Sequence, residues 1–258
     1  VSSAASPVDF ERRFGGISRL YGAGALARLE PVRVAVVGVG GVGSWAVEAL
    51  ARSAVGGLRL IDLDMIHESN VNRQLHALDG AFGAAKVEAL AERIERINPH
   101  CRVECIEDFL TPENTAELLD GCDAVIDAID NVRAKAALVA WCRAQGVALV
   151  VSGGAGGKTD PTRIRLADLA RTEQDPMLAK LRQRLRKDYG FPRDPKRRFG
   201  IDCVYSSEPL TRPTAACASE LGLAGLNCAG FGAAMAVTAS FGLFAAARTL
   251  DRLLGRCG

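Results

Sequence analysis

The sequence predicts a Rossmann-like α/β fold: a doubly wound, mainly parallel sheet with a C-terminal loop-rich and helical extension. Three observations point there. Short β-branched runs alternate with helical stretches across residues 31–152. A G-x-G-x-x-G run, Gly38-Val39-Gly40-Gly41-Val42-Gly43, sits between the first such run and the first long helical stretch. A carboxylate, Asp62, closes the second run about 20 residues further on.

Residues 1–30 read as a polar arm and a short helix. Arg-Val-Ala-Val-Val at 33–37 reads as a buried strand, and residues 44–53 as the helix after the glycine turn. Residues 58–61 form a second strand, closed by Asp62-Leu63-Asp64. Over 84–97 the apolar positions Val87, Leu90, Ala91, Ile94 and Ile97 recur at helical spacing, and Asn98-Pro99 stops that helix. Further strands are expected at 101–106, 124–129 and 148–152. The glycine-rich run 153–157 reads as a flexible hinge, residues 200–228 as loop-rich, and 229–250 as an apolar Ala/Gly-rich helix. This divides the chain into an arm (1–30), a nucleotide-binding domain (31–155) and a C-terminal extension for substrate binding and dimerisation (156–258).

Hydrophobic residues make up 48% of the chain and charged residues 24%, so a sizeable core is expected and global disorder is excluded. Net charge is +2, so any polyanion-binding surface must be local. One such surface is visible. Residues 180–199 hold nine Lys and Arg against two Asp, leaving the remainder of the chain net acidic. Tyr189, Phe191 and Phe199 lie among these cations, available either for stacking on bases or as packing anchors. None of the eight cysteines forms a Cys-x-x-Cys pair, so no stable zinc site is expected. Residues 1–7 carry no secretory pattern, and reduced thiols in the cytoplasm are the expectation. The uncharged stretch 229–247 approaches the length of a membrane span, but its small residues fit a buried or interface helix better than peripheral or single-pass membrane attachment.

The glycine motif leaves NAD, FAD and ATP open. The residues after it favour a triphosphate. Asn70-x-Asn72-Arg73-Gln74 and Lys86 supply a forked guanidinium and a point charge for phosphate oxygens. Asp130, just past the fourth predicted strand, is placed to hold Mg2+ beside them. Each residue also has a plain reading: Arg73 and Lys86 as solvated cations, Asp130 as a helix N-cap.

Taken together, Gly38-x-Gly40-Gly41-x-Gly43, Asp62-x-Asp64, Asn70-x-x-Arg73-Gln74, Lys86 and Ala128-Ile129-Asp130-Asn131 resemble the adenylation domain shared by ubiquitin-activating enzymes and the adenylyltransferases of molybdopterin and thiamine synthesis. The resemblance implies that Asp62 contacts ribose, that Arg73 and Lys86 contact phosphates, and that Asp130 binds the metal. It also implies a homodimer in which an arginine crosses the interface. Gly16 stands near where that arginine usually falls, which leaves Arg13 or Arg19 for the role.

The wider pattern resembles the tRNA threonylcarbamoyladenosine dehydratase family. It is carried by Arg13-Phe14-Gly15-Gly16, Arg19-Leu20-Tyr21-Gly22, the run 153–157, Asp175-Pro176, Gly200-Ile201-Asp202-Cys203-Val204-Tyr205-Ser206 and Cys228-Ala229-Gly230-Phe231-Gly232. That resemblance implies an ATP-dependent dehydratase that adenylylates the threonyl carboxylate of threonylcarbamoyladenosine in tRNA and promotes its cyclisation. It makes Arg193, Lys196, Arg197 and Arg198 a tRNA-docking set. Two alternatives stand beside it. One is an adenylyltransferase for a ubiquitin-like sulfur carrier. The other is a non-catalytic sulfur-relay or tRNA adaptor working with a cysteine desulfurase system. Cys228 or Cys217 is a conceivable thioester nucleophile, but ring closure needs none and a buried structural thiol is the favoured reading.

Overall fold

The computed structural model describes residues 8–211 and 231–256. Helices α1 (Phe10–Tyr21) and α2 (Ala25–Leu29) lead into strand β1 (Arg33–Val37) and helix α3 (Gly43–Arg52). Then follow β2 (Gly57–Ile61), α4 (Lys86–Ile97), β3 (Arg102–Ile106), α5 (Thr115–Leu119), β4 (Ala124–Asp127), α6 (Val132–Gln145) and β5 (Ala148–Ser152). The C-terminal part supplies β6 (Ile164–Asp168), α7 (Pro176–Asp188), β7 (Asp202–Ser206) and α8 (Met235–Leu253).

These strands form one seven-stranded sheet in the order β3-β2-β1-β4-β5-β7-β6. All neighbours pair in parallel except β6, which runs antiparallel along the edge of β7. Strand order reverses between β1 and β4, so connections diverge there and open a crevice at the carboxyl edge.

Alternation along the strands builds a core on each face. Val34, Val36, Leu58, Leu60, Ala124 and Ile126 point into one core, shared with α3, α4 and α8. Ala35, Val37, Ile61 and Val125 point into the other, shared with α5, α6 and α7.

Several expectations change. The sheet runs across the expected boundary at residue 155, because β7 joins β5 directly. Within the stretch expected to be loop-rich, residues 202–206 form a buried strand. The run 153–157 is no free hinge: Gly153 N–H donates to the Val204 carbonyl at 2.8 Å, and Gly154 N–H to the Asp175 carboxylate at 2.8 Å. Packing requires glycine at two of its positions: a side chain at Gly153 would press on Asp175 and Leu178, and one at Gly157 on Leu210 and the Thr211 carbonyl. Strand β4 stops at Asp127, two residues early.

Helix α8 begins at Met235, within the stretch expected from 229. Its buried face, which includes Val237, Phe241, Ala245 and Leu250, covers the sheet beside α3. Arg248 and Arg252 pin it to Asp202 at 2.8 and 2.7 Å. Among the described residues no helix is long and apolar enough to cross a membrane.

Candidate functional site

The site starts from the turn between β1 and α3. Gly38 has φ +83°, and a Cβ there would lie 2.9 Å from the Ala128 carbonyl oxygen. A Cβ on Gly43 would run into the Gly38 carbonyl, so the turn closes only on glycine. The loop thus lies between β2 and the β4–α6 turn, with the N-terminus of α3 facing the crevice.

Asp62 leaves the carboxyl end of β2 and turns toward this loop. Its Oδ2 accepts from Val39 N–H at 2.8 Å and its Oδ1 from Asp64 N–H at 2.9 Å. The carboxylate is therefore fixed against the loop backbone with lone pairs to spare.

Residues 67–76 form the opposite wall. Asn70 is buried, and its Oδ1 accepts from His67 N–H at 3.0 Å, closing a short 3-10 turn. Arg73 and Gln74 both donate their backbone N–H to the Asn70 carbonyl. Asn70 therefore shapes the segment that carries the two side chains. The Arg73 guanidinium donates to the Ser69 carbonyl at 2.8 Å and to Asn72 Oδ1 at 2.9 Å, while Trp45 Nε1–H holds the Arg73 carbonyl at 3.0 Å. Arg73 Cγ lies 3.2 Å from where a Cβ on Gly41 would stand, so the arginine stem rests on the glycine loop.

Lys86 opens α4 with only 5% of its surface exposed. Its ammonium meets Asp64 Oδ2 at 2.7 Å. Burial of Lys86 excludes the solvated-surface reading. Asp64 serves the lysine, while remaining half exposed itself.

Asp130 sits on the carboxyl edge beyond β4 and is exposed. It is not the N-cap of α6. Asn131 takes that part, accepting from Arg133 and Ala134 N–H at 2.9 and 3.1 Å. Beneath this turn lies a pair that sequence reading missed. Lys135 and Asp127, both fully buried, meet at 2.8 Å, and Lys135 also donates to the Ser152 carbonyl at 3.0 Å. Burial pushes the Asp127 carboxyl up, against the pull of Lys135. Asp127 Oδ1 accepts from Ile129 N–H at 3.3 Å, so the pair fixes the turn that presents Asp130.

The structure thus brings Gly38, Gly40, Gly41, Gly43, Asp62, Asp64, Asn70, Arg73, Gln74, Lys86 and Asp130 to one crevice. It does not bring the other candidates there. Arg13 donates to the Ile97 carbonyl at 2.9 Å, at the far end of α4 from Lys86. A 12-residue helix puts that about 18 Å away. Arg19 is exposed on α1.

Arg193, Lys196, Arg197 and Arg198 are all exposed, in the loop that enters β7. That loop is at the amino edge of the sheet, opposite the crevice. Phe191 and Phe199 are buried beneath it, their rings 5.0 Å apart, so of the three aromatics only Tyr189 is exposed. Cys217 and Cys228 lie outside the described residues. Burial pushes the described thiols up, Cys142 and Cys105 to about 12, which suits structural cysteines.

Residues 14–256 match the model of the ThiF family. The chain is 53% identical over 250 residues to the tRNA threonylcarbamoyladenosine dehydratase of Haemophilus influenzae, covering 95% of each chain. It also superposes on the crystal structure of the Escherichia coli tRNA N6-threonylcarbamoyladenosine dehydratase in complex with ATP. There the TM-score is 0.88 and the identity 48%, covering 97% of this chain and 98% of that one. The AMP complex of the same protein gives a TM-score of 0.87 at 47% identity, covering 98% and 99%. The chain belongs to the ThiF family, in its branch of tRNA threonylcarbamoyladenosine dehydratases.

Proposed function

We propose that the protein uses ATP to dehydrate threonylcarbamoyladenosine in tRNA. The observation that carries this reading is the crevice itself. A glycine loop that side chains cannot fill is flanked by a buried lysine and a braced arginine, in a chain similar along its length to dehydratases solved with ATP and AMP.

A free carboxylate is a poor electrophile. Its oxygen attacks the α-phosphorus of ATP, and pyrophosphate leaves. The carbamoyl group of the same nucleoside then attacks the activated carbonyl, closing a five-membered ring. AMP leaves with the former carboxylate oxygen, and the ring-closing group loses its proton. Both reactants sit on one nucleoside, so the second step needs positioning more than an external nucleophile. The protein's task is charge. Arg73 and Lys86 neutralise the phosphates, and Asp62 orients the ribose.

Magnesium fits the donor set, since Asp130 is an exposed carboxylate at the edge where the phosphates would lie. Bound there, Mg2+ would neutralise phosphate charge as the acyl-adenylate forms.

The exposed cations Arg193, Lys196, Arg197 and Arg198 would hold tRNA phosphates away from the reacting nucleoside, consistent with their place at the amino edge. A homodimer is part of the same reading: a second copy would cover exposed Leu243 and Phe244 of α8 and give Arg13 or Arg19 a site to reach. Sedimentation showing only monomer at micromolar concentration would remove that part.

The test is incubation with ATP, Mg2+ and threonylcarbamoyladenosine-bearing tRNA, followed by nucleoside mass analysis under mild conditions. Loss of one water from the nucleoside, with AMP released in step, is expected. An unchanged nucleoside with no AMP formed would overturn the reading.

A further inference from the structure

Two buried side-chain atoms among the described residues lack a hydrogen-bond partner: Asp127 Oδ2 and His76 Nδ1. Asp127 belongs to the ion pair already described. His76 is only 4% exposed, two residues beyond Gln74, and its Nε2 lies 3.1 Å from Gln74 Oε1. Gln74 is buried as well, with its Nε2 3.7 Å from where a Cβ on Gly40 would stand. The three residues form a line from the protein interior to the glycine loop.

The unpaired nitrogen decides which way this line is polarised. A neutral imidazole carries its proton on one nitrogen and a lone pair on the other. If Nδ1 held the proton, a buried N–H would be orphaned, which native structures rarely tolerate. A bare lone pair on Nδ1 is the less costly choice. The proton therefore sits on Nε2 and points at Gln74 Oε1. With its oxygen engaged, the Gln74 amide turns its NH2 toward Gly40. Burial and the nearby Lys86 ammonium keep the ring neutral, with its pKa pushed down to about 4.

We propose that His76 is a positioning residue for the phosphate site, locking the Gln74 amide with its N–H donors aimed at the glycine loop. The proposal rests on the reading of that loop as the cradle for ATP phosphates. His76 touches no substrate and acts through Gln74.

The test measures ATP binding and the KM for ATP in the full-length protein and in His76→Phe, His76→Gln, Gln74→Ala and the double variant His76→Phe/Gln74→Ala. His76→Phe should weaken ATP binding by about five- to tenfold, the loss of one well-oriented neutral hydrogen bond, with the KM for tRNA unchanged. His76→Gln, which keeps a donor at similar reach, should recover most of the loss. In the Gln74→Ala background, His76→Phe should cost nothing further. Unchanged ATP binding in His76→Phe, or additive losses in the double variant, would overturn the proposal.

The tautomer can be read in the unmutated protein by nitrogen-15 NMR of its three histidines, which serves even if the Phe variant does not fold. An Nε2–H form at His76 supports the proposal and an Nδ1–H form overturns it. Failure of the unmutated protein to bind ATP would instead sink the functional reading, leaving the tautomer result to decide the geometry.

Discussion

The two edges of the sheet carry the two sets of cations in opposite ways. At the carboxyl edge Lys86 is buried and paired, and Arg73 is held by two acceptors and rests on the glycine loop. At the amino edge Arg193, Lys196, Arg197 and Arg198 are exposed. The contacts there are to the backbone: Lys196 N–H donates to Asp194 Oδ1 and the Lys196 carbonyl accepts from Arg171, both at 2.8 Å, while Asp168 accepts from Phe199 and Gly200 N–H at 3.0 and 2.7 Å beside the buried Phe191–Phe199 pair. Chemistry on one phosphorus atom demands fixed charge, whereas docking of a long polyanion tolerates movable charge. Under the proposed function the same residue types would therefore do different work at the two edges.

The largest effect expected at the carboxyl edge comes from its hidden support. Lys135→Met leaves Asp127 buried without its partner and should destabilise the fold by about 3–5 kcal/mol in urea titrations. Adding Asp127→Asn should recover much of that. A small loss in the single variant would mean that the pair does not carry the turn.

Asp130→Ala should behave in the opposite sense. Turnover should fall by about a hundredfold or more while the melting temperature stays near that of the parent, because an exposed carboxylate carries function rather than packing. Near-normal turnover would make Asp130 structural.

At the amino edge, changing Arg193, Lys196, Arg197 and Arg198 together to Ser should weaken tRNA binding. The slope of log affinity against log salt should shrink by about 0.7–0.9 for every phosphate that is no longer neutralised. ATP binding should be unchanged, since the crevice lies across the sheet. Unchanged tRNA affinity at several salt concentrations would leave this loop as ordinary surface.

The smallest effect concerns Asp202, where β7 begins at that same edge. Burial raises its carboxyl pKa, but the hydrogen bonds from Arg252 and Arg248 outweigh this, and the net shift is downward from 3.8. A depressed carboxylate contributes stability above its unfolded pKa and loses it as pH falls through the folded value. The melting-temperature gap between the parent and Asp202→Asn should therefore be full at pH 7 and close below about pH 4. A gap that does not narrow at all as the pH is lowered from 7 would show that Asp202 acts by shape instead of charge.

What could be read from sequence follows how each element is buried. Strands β1 to β5 are short apolar or β-branched runs, and the glycine and cation motifs lie at their ends, so most of the crevice was legible. Strand β7 was not. It starts and ends on polar residues, Asp202 and Ser206, and only its partners Arg248 and Arg252, far along the chain, explain how Asp202 is buried. The glycine-rich run 153–157 looked like a hinge because a residue without a side chain signals freedom in one dimension and close packing in three. Asp127 fell inside the expected strand 124–129 and Lys135 in no motif, so nothing in the sequence joined them. His76 was visible beside the Arg73-Gln74 pair, but its role depends on an unpaired nitrogen that only coordinates reveal.

The packing of α8 against α3 bears on how the molecule is made. The face of the sheet behind the glycine loop is covered by the first long helix of the nucleotide half together with the last helix described. This packing joins distant parts of the chain, and such long-range pairing slows folding because the intervening loop must close first. A nascent chain emerging from the ribosome with the glycine motif and strands β4 and β5 complete would still expose Ala124, Ile126 and Val150 on one side until α8 arrives. A chain cut short before residue 235 would therefore meet chaperones and proteases as an unfinished sheet.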